Sequence, residues 1–370
     1  MRSELKTVSI PGEPEARERT RAVVLSAFAE REPVARRSQW PRVAAIAVAL
    51  AALGAVVLSS PGRAVLQELR EVVGVKRAQP ALFSLPAPGR LLVSSDAGAW
   101  VVEQDGSKRL LGDYREASWS PFGRFVVAAK ENELAALERD GDVRWTLARP
   151  GVRSPRWAGT DVDTRIAYVD RTGLRVVAGD GTGDRLLDAR ARGPLAWRPG
   201  PRFVLAYATS RSVRVVDAQA GRTLWTAARP AGEAHLEWSR DGRLLLVLAP
   251  RHIRLYGSGG ALLEQSDPRS GGPHSAAARP GSRQIALALE RDVQSAAYVM
   301  SGRRLFAGTG TFGEIVWSPD GRWLLVSWPT ADQWVLVRAT GARRITAVSN
   351  VSEQFRSRSF PRVEGWCCAP

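Results

Sequence analysis

WSPDGRWLLVSW, at residues 317–328, decides how the rest of the chain is read. A tryptophan ends one apolar segment, Ser-Pro-Asp-Gly makes a tight turn, an arginine follows, and a run of strand-forming residues begins. Proline presets its own backbone angle, aspartate bonds back to the chain, and glycine accepts a left-handed conformation. The phrase recurs as WSRDGRLLLVLA (238–249) and WSPFGRFVVAA (119–129). Looser copies are LPAPGRLLVSS (85–95), WAGTDVDTRIAYV (157–169), WRPGPRFVLAY (197–207) and ARPGSRQIALAL (278–289). In chain order the seven openings stand 34, 38, 40, 41, 40 and 39 residues apart, the period of a four-stranded unit stacked many times. An arginine leads the apolar run in every copy: Arg90, Arg124, Arg165, Arg202, Arg243, Arg283 and Arg322.

Each run is five or six residues, too short for a typical helix and rich in strand formers. A second strand follows (WVVEQ from Trp100, LRVVAG from Leu174, VRVVDA from Val213, HIRLYG from His252, WVLVRA from Trp334), and then a glycine-bearing turn. A third strand comes next, and a fourth leads into the next tryptophan. Short strands at this spacing, without intervening helical periodicity, predict an all-β closed array. The fold expected for residues 83–370 is therefore a seven-bladed β-propeller of four-stranded blades, with the strand-end tryptophans packed between blades. Residues 363–366 (VEGW) read as an eighth copy of the blade-opening strand, able to pair with the first blade and tie the chain ends together. The interval from Trp317 to Trp366 is 49 residues, which predicts a polar loop of about ten extra residues near 349–359.

Net charge is +16, carried by 49 arginines against 4 lysines. The arginines are dispersed over all the repeats rather than clustered in one, which reads as a solvated basic surface and argues against a nucleic-acid track. Residues 43–58 are all apolar or glycine, and no charge interrupts the segment through residue 60. That predicts a retained single membrane span at 43–60. Arg31, Arg36, Arg37 and Arg42 on one flank, against Arg63 and Arg70 on the other, place residues 1–42 in the cytoplasm and the propeller outside. A cleaved signal is the other reading; the 42-residue leader and the lack of a small-x-small site before Pro61 argue against it. Residues 12–32 read as a cytoplasmic helix, whose stretch 13–31 could dock a cytoplasmic protein, and 62–73 as a juxtamembrane helix within the 61–82 connection.

Catalytic groups are scarce. His235, His252 and His274 occupy different repeat positions and do not predict a shared metal site. No nucleophile elbow or nucleotide-binding loop is present. In GDGTGD, residues 179–184, Asp180, Thr182 and Asp184 alternate as in a calcium loop, yet the segment sits where other repeats carry a plain turn and lacks the later glutamate. No catalytic, cofactor-binding or metal-ligating residues are therefore assigned. Cys367 and Cys368, the two cysteines, could form a vicinal disulfide, an interchain bridge or, the plainer reading, two unpaired thiols.

The WSPDGR-type phrase with its following strands and glycine turn resembles the TolB-like, WD-like propeller repeat of bacterial proteins, over about three quarters of the chain. Trp119, Trp238 and Trp317 with their turns carry the match, and it implies a propeller in an extracytoplasmic setting. The N-terminal region, a short helix, one span and then SPGRAV, resembles the membrane-proximal part of actinobacterial anti-sigma-factor-like proteins, without their zinc His/Cys motif. GDVRW (141–145) and GRTLW (221–225) resemble a strand of quinoprotein propellers. The expectation is a membrane-anchored, non-catalytic propeller that binds a protein or glycan at one face, and needs no cofactor. The alternative is a quinoprotein-type or hydrolytic enzyme.

Overall fold

The structure, a computed structural model, describes residues 83–368 apart from 233, 268–271, 292 and 343. The helices expected at 12–32 and 62–73 and the apolar segment 43–60 lie outside the described residues. Among the described residues no helix is long and apolar enough to cross a membrane. Arg77–Pro370 forms its own compact unit.

That unit contains seven four-stranded antiparallel sheets. From the centre outward the strands of each blade are named a to d. The inner a strands of blades 2–7 are Glu116–Trp119, Arg153–Gly159, Ala191–Trp197, His235–Trp238, Gly272–Ala278 and Ile315–Trp317. Blade 1 takes its a strand from the chain end, Arg362–Cys367, followed by Arg90–Ser95, Gly98–Val102 and Lys108–Gly112. Each a strand touches the next, and Ile315–Trp317 meets Arg362–Cys367, which in turn meets Glu116–Trp119, so the ring is closed.

The apolar runs after the arginines are the b strands, and they form the core. Leu245, Leu246 and Val247 of blade 5 and Leu324, Leu325 and Val326 of blade 7 are fully buried. Both faces of a b strand meet neighbouring blades, which is why these runs lack polar alternation. The d strands are the rim, and Leu262–Ser266 of blade 5 is exposed along its length. The blade tryptophans staple neighbours together. The indole N–H groups of Trp197, Trp238 and Trp317 donate to the carbonyls of Arg156, Ala196 and Ala277 on the preceding blade, at 2.9, 3.2 and 3.0 Å.

The turn phrase is explained atom by atom. In blade 5, Asp241 Oδ1 accepts from Ser239 Oγ and the Arg243 amide, while Ser239 Oγ accepts from the Leu244 amide. Blade 7 repeats this with Asp320, Ser318 and Trp323. Gly242 has φ +65, and a Cβ there would stand 2.7 Å from the Pro199 carbonyl of the preceding blade. Two copies, WRPG and ARPG, place an arginine where others have serine. Arg198 and Arg279 reach across to the carbonyls of Gly242 and Gly321 in the next blade's turn, at 2.7 and 2.8 Å. The departures from the consensus are thus joints between blades.

The terminal strand pairs with the first blade as expected: Leu91 pairs with Trp366 and Leu92 with Gly365, then a bulge shifts Val93 onto Val363. The extra segment before this strand is not the solvated polar loop its composition predicts. It holds a short helix, Val351–Gln354, and Val351 and Phe355 are fully buried. Phe355 packs between Trp100 of blade 1 and Trp334 of blade 7, with ring centroids 5.8 and 5.1 Å away. At one end Asp332 of blade 7 accepts from the Ser352 amide and hydroxyl. At the other, Asp96 of blade 1 accepts from the amides of Arg358 and Ser359 and the Ser359 hydroxyl. These hydrogen bonds hold the Asp96 carboxyl down to about 2. The segment clasps the first and last blades together.

The cysteines also depart from the plainer reading. Cys367 and Cys368 are joined in a disulfide. Cys367 ends the a strand and Cys368 lies beyond it, so strand alternation does not hold the two side chains apart. The sulfurs lie against the blade 2 turn, where a Cβ on Gly123 would be 3.2 Å from each.

Deleting residues 361–370 is expected to lower the thermal midpoint of the whole propeller, since one missing strand opens the ring on both sides. Phe355→Ala should cost about 3–5 kcal/mol in denaturant unfolding, as for other large buried aromatics. An unchanged midpoint in the truncated chain would contradict closure by this strand.

Candidate functional site at the channel mouth

Alternation along each a strand turns residues one and three places before the blade tryptophan to the channel, while the tryptophan and its second neighbour pack between blades. Burial follows this rule: in both Glu116–Trp119 and His235–Trp238 the first and third residues are half-buried and the second and fourth buried. The channel-facing positions gather Glu116, Arg156, His235, Glu237 and Glu314. In blade 1 the bulge places Glu364, two before Trp366, beside Arg362, whose guanidinium donates to it at 3.0 Å. Five of seven blades thus contribute an ionisable group.

Several of these groups tie the ring. Glu116 accepts from the Ser154 amide of blade 3 at 2.5 Å, and Glu237 from the Ala278 amide of blade 6 at 2.9 Å. Ser275 accepts from the Ile315 amide in the same way. Electrostatics link groups on well-separated blades. Burial pushes the Glu237 carboxyl up to about 7, against the pull of the Ala278 amide and of Arg240 and Arg156. Burial likewise pushes His235 down to about 4, helped by Arg156, and its Nε2 has no hydrogen-bond partner. Glu364 is raised by burial and lowered by Arg156 and Arg362, while burial raises Glu314. Burial disfavours charge on Arg362, but Glu364, Glu116 and Glu314 together raise it. Four carboxyl groups against two guanidinium groups give the channel an acidic lining inside a strongly basic protein.

Of these residues, sequence reasoning singled out His235 alone. The others carry a signal only after the repeats are aligned on tryptophan, when charge recurs at the two channel-facing positions. His252 and His274 lie elsewhere, paired with Asp267 at 2.8 Å and Glu290 at 2.6 Å. No group of acidic, histidine or cysteine residues suited to a metal occurs among the described residues.

The 179–184 segment is a turn. Asp180 accepts from the Thr182 amide and hydroxyl. Asp184 turns inward, where Arg149, Arg175 and Tyr168 converge on its carboxylate, so its charge is already matched. Four residues on, Asp188 of the same blade 3 accepts from Tyr207 and Arg214 of blade 4 in a related network. A cavity of about 300 Å³ opens between these two blades, lined partly by Arg165, Arg185 and Phe203. The quinoprotein-like strands have a packing explanation: Trp145 and Trp225 sit on outer strands and donate to the Gly179 and Ser258 carbonyls of the next blade, each at 3.0 Å.

Glu237 and His235 have opposite linkage to pH. The raised carboxyl favours the folded state at low pH, and that contribution is lost as pH rises from about 4.5 through about 7. The lowered imidazole favours folding at high pH, and that contribution is lost as pH falls from about 6.5 through about 4. The two oppose each other between about 4.5 and 6.5. Glu237→Gln keeps an acceptor for the Ala278 amide and leaves the histidine uncompensated. Relative to the parent, its stability should rise with pH across that window by up to about 1.4 kcal/mol per unit. His235→Gln should show the opposite relative slope. Parallel profiles for all three proteins, from urea unfolding at each pH, would contradict this.

No protein-family model matches the chain, and no curated protein matches it. Solved structures do. The β-propeller domain of Cps50 (Swd1) from Myceliophteria thermophila is similar with a TM-score of 0.51 and 15% identity, over 72% of this chain and 99% of that one. A chain of the Mitotic Checkpoint Complex is similar with a TM-score of 0.50 and 13% identity, over 63% of this chain and 78% of that one. At such identity the likeness is one of fold, a β-propeller, which here has seven four-stranded blades.

Proposed function

We propose that this protein is a membrane-anchored, extracytoplasmic propeller that binds a protein or glycan and acts as a sensing module without catalysing a reaction. The observation that carries the reading is the channel mouth, where side chains from five blades converge on a rigid closed ring. Rigid scaffolds that present loops and convergent polar groups are suited to recognition. Glu116 and Glu237 already hold the neighbouring blades, which suits a scaffold role. One of the similar structures is a chain of a multiprotein assembly, the Mitotic Checkpoint Complex, which supports reading this propeller as a protein-interaction module. In this reading residues 43–60 span the membrane, the N-terminus is cytoplasmic, and residues 13–31 dock a cytoplasmic partner.

A second reading, a hydrolytic propeller, draws on the gathering of Glu116, Glu314 and Glu364 about Arg362. The two separate by experiment. Crosslinking in intact membranes should capture a protein or glycan, and Glu314→Gln with Arg362→Gln should reduce that capture while leaving the thermal midpoint near the parent value. Capture unaffected by these changes would contradict a site at the mouth. Turnover of a sugar, ester or peptide lost on Glu364→Gln would favour the enzyme.

Topology has its own test. Protease added to intact cells should cut the propeller loops and spare residues 1–42. Recovery of the full chain in the soluble fraction would contradict the anchor.

A further inference from the structure

The a–b and c–d turns of every blade emerge on one face of the ring, and the repeat returns its arginines to that face. In blades 4–7 these turns (198–203, 217–222, 239–243, 257–261, 279–284, 300–304, 318–322 and 339–344) carry nine exposed arginines among the described residues. Arg202, Arg240, Arg304 and Arg344 are among them. The same turns hold three acidic residues, Asp217, Asp241 and Asp320, each accepting hydrogen bonds from its own turn. In blades 1–3 the balance inverts. The corresponding turns (86–90, 103–107, 120–124, 138–144, 160–165 and 179–185) carry nine acidic residues and four exposed arginines. What reads along the chain as dispersed charge is in space a basic arc across four adjacent blades.

The chain enters the propeller on this same face. The Leu85 amide donates to the carbonyl of Gln104 in a c–d turn. Gly89 lies against Pro319 of the blade 7 a–b turn. Entry is therefore beside the blade 7 end of the arc, and 22 residues separate Phe83 from the end of the apolar segment at residue 60.

We propose that the basic arc of blades 4–7 docks on the headgroups of an anionic phospholipid surface, holding the propeller with the face of its a–b and c–d turns toward the bilayer. This rests on the membrane-anchored reading, because the position of the tether is what favours lipid over other polyanions. Each arginine near an anionic bilayer strengthens binding by about fivefold, so several acting together give a stable orientation. The contact weakens with salt, as expected for screened charges.

The test uses the full chain reconstituted in nanodiscs of phosphatidylcholine alone or with phosphatidylglycerol, followed by hydrogen–deuterium exchange. The expected result is protection of the 239–243, 279–284 and 318–322 turns in the anionic discs only. Arg202→Gln with Arg240→Gln, Arg304→Gln and Arg344→Gln should abolish that protection. Arg211→Gln with Arg291→Gln, on the b–c turns of the other face, should leave it intact. Identical exchange of these turns in both discs overturns the proposal. If the chain does not insert into discs, the anchor reading fails separately, and the soluble chain is then sedimented with phosphatidylglycerol vesicles. Binding that the fourfold variant loses supports the arc as a lipid surface; no binding overturns it. Retention on a random DNA duplex but not on vesicles identifies a different polyanion and likewise overturns it.

Discussion

Everything in this protein depends on one antiparallel pairing, that of Arg362–Cys367 with Arg90–Ser95. A row of stacked sheets left open would expose the faces of its first and last blades. Closure buries Trp366 and Val363 against blade 1 and places Glu364 and Arg362 in the channel. The clasp formed by Phe355, Asp96 and Asp332 reinforces the same seam, so the longest departure from the repeat sits where two non-consecutive ends meet. A single weak joint in a ring would set the stability of the whole, and this joint carries a strand ladder, a buried aromatic and two capped aspartates.

The fold was legible because its determinants are local and periodic. Serine, aspartate and glycine in the turn each make a bond that depends on nearest neighbours along the chain, and the run after the arginine is buried on both sides in every blade. The tryptophan staples were legible in kind, though not in which carbonyl each would reach. The closing strand was recognisable because it copies the others. The clasp was misread because its polar composition conceals two buried anchors, Val351 and Phe355, whose partners lie more than two hundred residues away or in another blade. The cysteine pair was misread because the strand ends between its two members.

The site was the least legible part. Glu116, Arg156, Glu237, Glu314 and Glu364 are far apart in sequence, and nothing in any one repeat marks them. They meet because alternation and the repeat period deliver equivalent positions to one axis. The same arithmetic sorts the charge of the surface. Arginines spaced about forty residues apart look scattered along the chain, yet adjacent blades bring them side by side. A propeller converts sequence periodicity into spatial concentration, so per-repeat dispersal is a poor argument against a charged surface in this architecture. The resulting molecule has an acidic channel lining and a basic arc on one face, an asymmetry suited to orienting it.

Native-state hydrogen exchange at the seam tests the central claim most directly, by comparing the amides of residues 362–367 with those of the buried strand Val204–Thr209 in blade 4. If the terminal strand closes the ring, both sets open only through global unfolding, with the same free energy and the same dependence on denaturant. Exchange of 362–367 through a low-energy, denaturant-independent local opening would show a frayed end in place of a closure, and would contradict the account.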